Sequence, residues 1–324
     1  MHTPSYAGVL DAARQIAPAI VRTPLIEHPA LNAAVGGRVV MKAESLQVTG
    51  AFKYRGAYNR ISRLSAEERV CGIVAYSSGN HAQASAAAAK AMGAPAVIVM
   101  PSDSPKIKIE GVKNFGGEVR LYDRWSESRE AIGAEIARER GSILVPPFDD
   151  PFIIEGQGTC ALEVLHDADG PIDQLLCGAS GGGLIAGINL VMAERSPDTA
   201  VYVVEPEAFD DTRRSLEAGA PTPHPKGAPS ICDALMAPVP GQITFSINQR
   251  LSGALTVSDA EVCEAMRFAF RHLKLVIEPG GAVSLAALLA GKIEARDKTT
   301  AIIVSGGNVD PQQFADIITG RFNS

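Results

Sequence analysis

Short runs of β-branched and aliphatic residues alternate along this chain with alanine-rich segments of helical length, and that alternation most constrains its fold. Ile73-Val74-Ala75-Tyr76 precedes a helical stretch from His81 to Met92, and Ala96 to Met100 precedes a helix led by Pro105. Glu118 to Tyr122 precedes another from Glu127 to Arg138. Gln174 to Cys177, Ala200 to Val204 and Ala301 to Val304 are each flanked by helical or glycine-rich sequence. Strands that alternate with helices predict βαβ units, that is, parallel sheets with helices on both faces. The fold class is therefore α/β. Val145-Pro146-Pro147 and the segment Ser65 to Glu68 mark crossings between domains. They divide the 324 residues into a larger domain, 1–67 with 151–324, and an inserted smaller one, 68–150.

Composition removes several function classes. The net charge is −6 and no block of lysine and arginine occurs, so neither nucleic acid nor an anionic membrane is an expected partner. The longest apolar run, Ala282 to Ala290, is too short to span a bilayer, and Met1 to Tyr6 has no signal-peptide pattern. The 5 cysteines form no CxxC pair and no zinc spacing, which suits buried thiols in a reducing cytoplasm. A soluble cytoplasmic protein is expected.

Four loops carry candidate chemistry. In Thr49-Gly50-Ala51-Phe52-Lys53-Tyr54-Arg55-Gly56-Ala57, the spacing of Tyr54, Ala57, Tyr58, Ile61 and Leu64 predicts a helix that begins near Lys53, just after Thr49 or Gly50. An ammonium at the positive end of a helix dipole is disfavoured, and a lysine so depressed can act as a Schiff-base nucleophile. An exposed lysine in an ordinary first turn fits the same run. Ser77-Ser78-Gly79-Asn80-His81 lies between a strand and a helix, where free N–H groups favour an anion, and its donors suit a carboxylate. A plain Ser/Asn helix cap is the alternative.

The third loop, Cys177-Gly178-Ala179-Ser180-Gly181-Gly182-Gly183-Leu184-Ile185-Ala186-Gly187, fits three templates. One is a phosphate cup built on glycine N–H groups. Another is the GxGxxA dinucleotide pattern, with Glu205 as its acidic partner. The last is the GxSxG elbow of a hydrolase, with His224 and His272 downstream. The fourth loop, Val304-Ser305-Gly306-Gly307-Asn308, ends a strand in small polar residues, as ligand-binding strand ends do. Glu205-Pro206-Glu207-Ala208-Phe209-Asp210-Asp211 could hold a hard cation, though a solvated acidic loop is the default.

Together, in this order and spacing, these runs resemble a pyridoxal-phosphate enzyme of the tryptophan-synthase-β-like fold, in the serine/threonine dehydratase and serine racemase branch. The resemblance runs from Arg22-Thr23-Pro24-Leu25 to Asp310. It implies two doubly wound open-sheet domains with the cofactor in the cleft between them. Lys53 matches the Schiff-base lysine, with Phe52 beside it, and Asn80 matches the contact to the cofactor's ring hydroxyl. Ser77, Ser78, Asn80 and His81 match the loop that grips the substrate carboxylate. Ser180, Gly181, Gly182, Gly183 and Leu184 match the phosphate cup, with Ser180 where racemases tend to have a fourth glycine. Ser305 matches the hydroxyl beside the pyridine nitrogen, and Glu278 belongs to the family's Glu-Pro pair at the cofactor. Ser78 also resembles the serine that serves the opposite face in racemases.

Arg129 matches an arginine of racemases and hydroxyaspartate-processing relatives. Glu205, the carbonyl of Phe209 and Asp211 match a cation site for magnesium or calcium. A homodimer is implied, and the partner is a small amino-acid substrate. The activity implied is β-elimination of L-threonine or L-serine to a 2-oxo acid and ammonia, with Lys53 as the α-proton base. Serine racemase and 3-hydroxyaspartate dehydratase are the alternatives within the family. The apolar segment Ile231 to Ala237 and the glycines after Glu278-Pro279 incline the expectation towards a dehydratase. A hydrolase, an oxidoreductase or a non-catalytic binding module would each leave Lys53 without a role.

Overall fold

The strands, in chain order, are β1 (Leu25–Glu27), β2 (Arg38–Ala43), β3 (Ile73–Tyr76), β4 (Ala96–Pro101), β5 (Glu118–Tyr122), β6 (Ile143–Leu144), β7 (Gln174–Gly178), β8 (Ala200–Pro206), β9 (Gly253–Val257) and β10 (Thr299–Val304). The computed structural model describes residues 2–77, 79–104, 106–225 and 230–322. The strands form a six-stranded sheet, ordered β1-β2-β10-β7-β8-β9, and a four-stranded sheet, ordered β5-β4-β3-β6. Only the β1–β2 pair is antiparallel; the others are parallel. Parallel strands need helical crossovers, which cover both faces and let the central strands be apolar throughout. In β7, Leu175 and Cys177 enter one apolar cluster and Leu176 the cluster on the opposite face, the period of two that a doubly covered strand requires.

β3 and β5 coincide with the expected runs, and β4, β7, β8 and β10 extend them by one or two residues. β1, β2, β6 and β9 were not expected. β1 and β6 are too short to show a period, and β2 carries a charge, Lys42, that is buried against Glu163 at 2.6 Å. Ser65 to Glu68 is not a linker. Ser65 and Glu68 form a reciprocal capping box that opens the helix Ala66–Cys71.

The helix Lys53–Ile61 bridges the two sheets. Tyr54, Ala57 and Ile61 pack into the cluster around Ile73, Ala75 and Ile98 of the smaller sheet. Arg55 turns the other way and is fully buried, with Nε at 2.8 Å from Glu44 and Nη1 at 2.6 Å from Glu163. Desolvation offsets most of what such a pair gains, so its main effect is to fix where the helix starts. The position before the helix is Phe52, with no side-chain cap, rather than Thr49 or Gly50.

Three parallel strands end towards one cavity. β7 runs into the glycine loop, β10 into Ser305 and β3 into Ser77. β7 lies where the order reverses, since β8 and β9 extend on one side and β10 returns on the other. Open α/β sheets bind ligands at such points. Among the described residues, no helix is long and apolar enough to cross a membrane.

Candidate active site

A cavity of about 370 Å³ opens between the two sheets. Lys53 lies on its floor beside Phe52, whose ring centre is 5.1 Å from the Lys53 Nζ. Nζ donates to the carbonyl of Pro147 at 2.7 Å. Burial depresses the amine to about 8, through the cost of desolvating its charged form. The residue before it is tied to another cavity wall, because Phe52 N–H donates to the Ser305 carbonyl at 3.0 Å.

Ser77, Asn80 and His81 line the same cavity; Ser78 lies outside the described residues. The helix Asn80–Ala91 starts after Gly79 with no side-chain cap, so its first N–H groups are not used up by Ser or Asn. Asn80 Nδ2 donates to Glu278 at 2.5 Å, and its Oδ1 accepts from Asn308 at 2.8 Å; these partners assign the amide's orientation. Glu278 does not line the cavity. It sits behind Asn80, buried, and its carboxylate accepts from the Asn80 amide. Burial pushes its carboxyl up to about 7.

His81 Nε2 lies 3.0 Å from the Val145 carbonyl, which assigns the proton to that nitrogen. Nδ1 is then a buried acceptor without a protein partner. Burial first, and then the charges of Lys53 and Arg129, lower the imidazole to about 3, so it is neutral in use.

Ser180 to Leu184 form the opposite wall. The helix Gly183–Arg195 begins after Gly182, whose φ of 88° suits glycine, and no side chain caps it. Its first N–H groups are free for an anion. The Ser180 hydroxyl accepts from Ala237 N–H at 2.9 Å. His224 packs on Phe209 and His272 on Phe268, and neither lines the cavity, so no hydrolase triad assembles at Ser180. Glu205 accepts N–H groups of Thr212 and Arg213 and is buried, so it is not free for a ribose either. Ser305 faces the cavity at the end of β10.

Arg129 lines the cavity at the start of the helix Arg129–Arg140, over the ring of Tyr76 at 5.4 Å. Its Nε bonds Glu130 at 2.8 Å, and its terminal nitrogens have no protein partner among the described residues. The sequence reading missed other charged residues here. Lys108 pairs with Asp233 across the cleft, and Arg124 with Asp103 at 2.7 Å. Nothing in their local sequence separates them from surface ion pairs.

The acidic run is not a solvated loop. Glu205 and Asp211 are fully buried and Asp210 nearly so, with Phe209 closing the turn between them. Asp210 pairs with Arg213 and with Arg214. Both Asp211 carboxylate oxygens lack a hydrogen-bond partner among the described residues. Burial, and for Asp211 the neighbouring Glu205, raises both carboxyls together. Among the described residues, no group of three or more His, Cys, Asp and Glu side chains could hold a metal ion, so any cation here would also need carbonyl or water oxygens. Four cysteines are buried as expected, but Cys71 is exposed.

The cavity thus brings together an amine of lowered basicity, an uncapped glycine loop that suits a phosphate, a second anion-binding helix start and a hydroxyl at a strand end. That donor set fits pyridoxal phosphate. Residues 16–306 match the family model described as pyridoxal-phosphate dependent enzyme. An L-threo-3-hydroxyaspartate ammonia-lyase from Pseudomonas sp is 42% identical over 99% of this chain and 100% of that protein. An L-threonine ammonia-lyase from Thermotoga maritima is 36% identical over 96% of this chain and 77% of its own length. The structure of maize serine racemase superposes with a TM-score of 0.93 at 35% identity, covering 99% of this chain and 98% of that one. The chain therefore belongs to the pyridoxal-phosphate-dependent enzymes of fold type II, among the ammonia-lyases and racemases.

Proposed function

We propose that this chain is an ammonia-lyase for 3-hydroxyaspartate, releasing ammonia and leaving a 2-oxo diacid. The observation that carries this reading is Arg129, which lines the Lys53 cavity with unpartnered terminal nitrogens. A guanidinium fork is built to take a carboxylate through two parallel bonds, and threonine or serine has no second carboxylate to offer it. The higher identity to the hydroxyaspartate enzyme than to the threonine enzyme supports the same choice, so the threonine or serine expectation gives way to its alternative.

Pyridoxal phosphate, joined to Lys53, would supply the electron withdrawal that makes the substrate's α-proton acidic. The chain's own residues do the rest. The Lys53 amine, lowered to about 8 by burial, takes the α-proton as a base matched to neutral pH. The loop from Ser180 to Leu184 would hold the phosphate, and Asn80, fixed by Glu278 and Asn308, would address the ring hydroxyl. The N–H groups at the start of the helix Asn80–Ala91 would hold the α-carboxylate. Ser305 offers the pyridine nitrogen a neutral hydroxyl, which gives no strong reason for that nitrogen to be protonated. Such a neutral partner would favour loss of the β-hydroxyl over transamination.

The test is a product assay across L-threo-3-hydroxyaspartate, L-serine, L-threonine and D-serine. The diacid is expected to give the highest kcat/KM for ammonia release; a higher value for L-threonine would refute the assignment. Serine racemisation is the second reading, favoured by the likeness to maize serine racemase, and D-serine formation outpacing ammonia release would establish it. The family likeness also supports a homodimer. The division at 68–150 is supported by the smaller sheet, whose strands all fall between Ile73 and Leu144.

Glu205, the Phe209 carbonyl and Asp211 suit a magnesium or calcium ion, because the buried Asp211 carboxylate has no partner among the described residues and lies beside the Glu205 carboxylate. Without one, the folded state binds more protons than the unfolded chain as pH rises out of the ordinary carboxylate range towards neutrality. Stability then falls with rising pH over that window. A bound cation should stabilise by about 2–3 kcal/mol at a hundredfold excess over its Kd. The gain in Tm with added Mg2+ or Ca2+ should be larger at pH 8 than at pH 5, and should vanish in Asp211→Asn. An equal gain at both pH values, or in the variant, would remove the site.

A further inference from the structure

Three consecutive residues join the lysine to the glycine loop, and the chemistry above uses only the first of them. The Pro147 carbonyl accepts from Lys53 at 2.7 Å. Phe148 packs on the loop so closely that a Cβ at Gly181 would meet its ring carbons at 2.2 Å. Asp149 then reaches the helix Gln242–Asn248, whose N-cap position is Gly241 and which has no cap from its own segment. Asp149 Oδ1 accepts from Ile243 N–H at 2.9 Å and from Thr244 N–H at 3.1 Å, and Oδ2 accepts from Gln242 N–H at 3.0 Å. One aspartate from a distant segment thus caps three N–H groups, and Gly241 leaves room for it, since a Cβ there would lie 2.3 Å from Oδ1.

The capped helix holds the glycine loop from behind. Thr244 Oγ1 donates to the Gly181 carbonyl at 2.7 Å, as does Gly241 N–H at 3.2 Å, and Asn248 Nδ2 donates to the Gly182 carbonyl at 3.2 Å. In a planar trans peptide the N–H of the next residue points opposite to the carbonyl. Tying back the carbonyls of Gly181 and Gly182 therefore turns the N–H groups of Gly182 and Gly183 away from that helix, and both residues line the cavity.

We propose that Asp149 is a positioning residue for the anion grip: by capping the helix Gln242–Asn248 it holds the Gly181–Gly183 peptides with their N–H groups set for the cofactor's phosphate. This rests on the reading that pyridoxal phosphate binds here.

The test compares pyridoxal phosphate with pyridoxal, which lacks the phosphate, by measuring both dissociation constants on cofactor-stripped full-length protein. Losing an N-cap is expected to weaken pyridoxal phosphate about five- to thirtyfold in Asp149→Ala, if the cost falls on the bound state, and to leave pyridoxal unchanged. Asp149→Asn keeps one oxygen acceptor and should recover most of the loss, still selectively for the phosphate form. It also serves as the measured variant if Asp149→Ala does not fold. Equal weakening of both ligands, or no weakening of either, in whichever variant is measured would overturn the role of Asp149. A wild-type protein that binds pyridoxal phosphate no more tightly than pyridoxal would instead overturn the cofactor reading on which it rests.

Discussion

Lys53→Ala is expected to abolish ammonia release, with a loss of about ten-thousandfold or more in kcat, and to remove the site of borohydride labelling. Both roles assigned to the amine, cofactor attachment and α-proton removal, disappear together, and a positioned base alone is worth about a hundred- to ten-thousandfold. Lys53→Arg should fail equally, because a guanidinium stays protonated and is a poor nucleophile. The measurement is reduction of the coloured wild-type protein with borohydride, followed by mapping of the modified peptide. A label on another lysine, or a fully active Lys53→Ala variant, would defeat the assignment. A pH signature accompanies it. Only the neutral amine can join an aldehyde, and burial lowers this amine to about 8. The rate at which the stripped protein takes up pyridoxal phosphate should rise about tenfold per pH unit below pH 8 and level off above it.

The start of the lysine helix was legible because Tyr54, Ala57, Tyr58 and Ile61 keep a helical period, and a period is a local property. Why the amine is depressed was not legible. The enclosing groups include Pro147 and Phe148, which follow β6 and are more than ninety residues away in the chain. The same limit explains the acidic run from Glu205 to Asp211. Its composition reads as a solvated loop, yet β8 is an inner strand and carries Glu205 into the interior.

The segments that inclined the sequence towards a dehydratase meet a related limit. Ile231 to Ala237 reads as an apolar segment, and in the structure Cys232 is fully buried in the core while Asp233, Ala234, Leu235, Met236 and Ala237 line the cavity, so one charge enters an otherwise apolar stretch of wall. Glu278 likewise reports on how Asn80 is held rather than on what enters the pocket. The average composition of such a segment hides a single charge such as Asp233, whose partner Lys108 comes from a distant part of the chain.

Arg129→Ala is expected to lower kcat/KM for L-threo-3-hydroxyaspartate by about a hundredfold, while that for L-serine changes by less than about threefold. The difference follows from what each substrate asks of the cavity. Among the described residues, Lys108 pairs with Asp233, Arg124 spends Nε and one terminal nitrogen on Asp103, and Arg129 spends only Nε, on Glu130, which leaves both its terminal nitrogens for a second carboxylate. Losing a charge-assisted pair costs about 2–3 kcal/mol, and serine never formed it. Arg129→Lys should fall between the two, since an ammonium supplies charge without the planar fork. Steady-state kinetics with both substrates on the three proteins measure this directly. If alanine at 129 depressed the two substrates equally, Arg129 would be acting through His81 or the fold of the cavity wall, and the diacid assignment would lose its support.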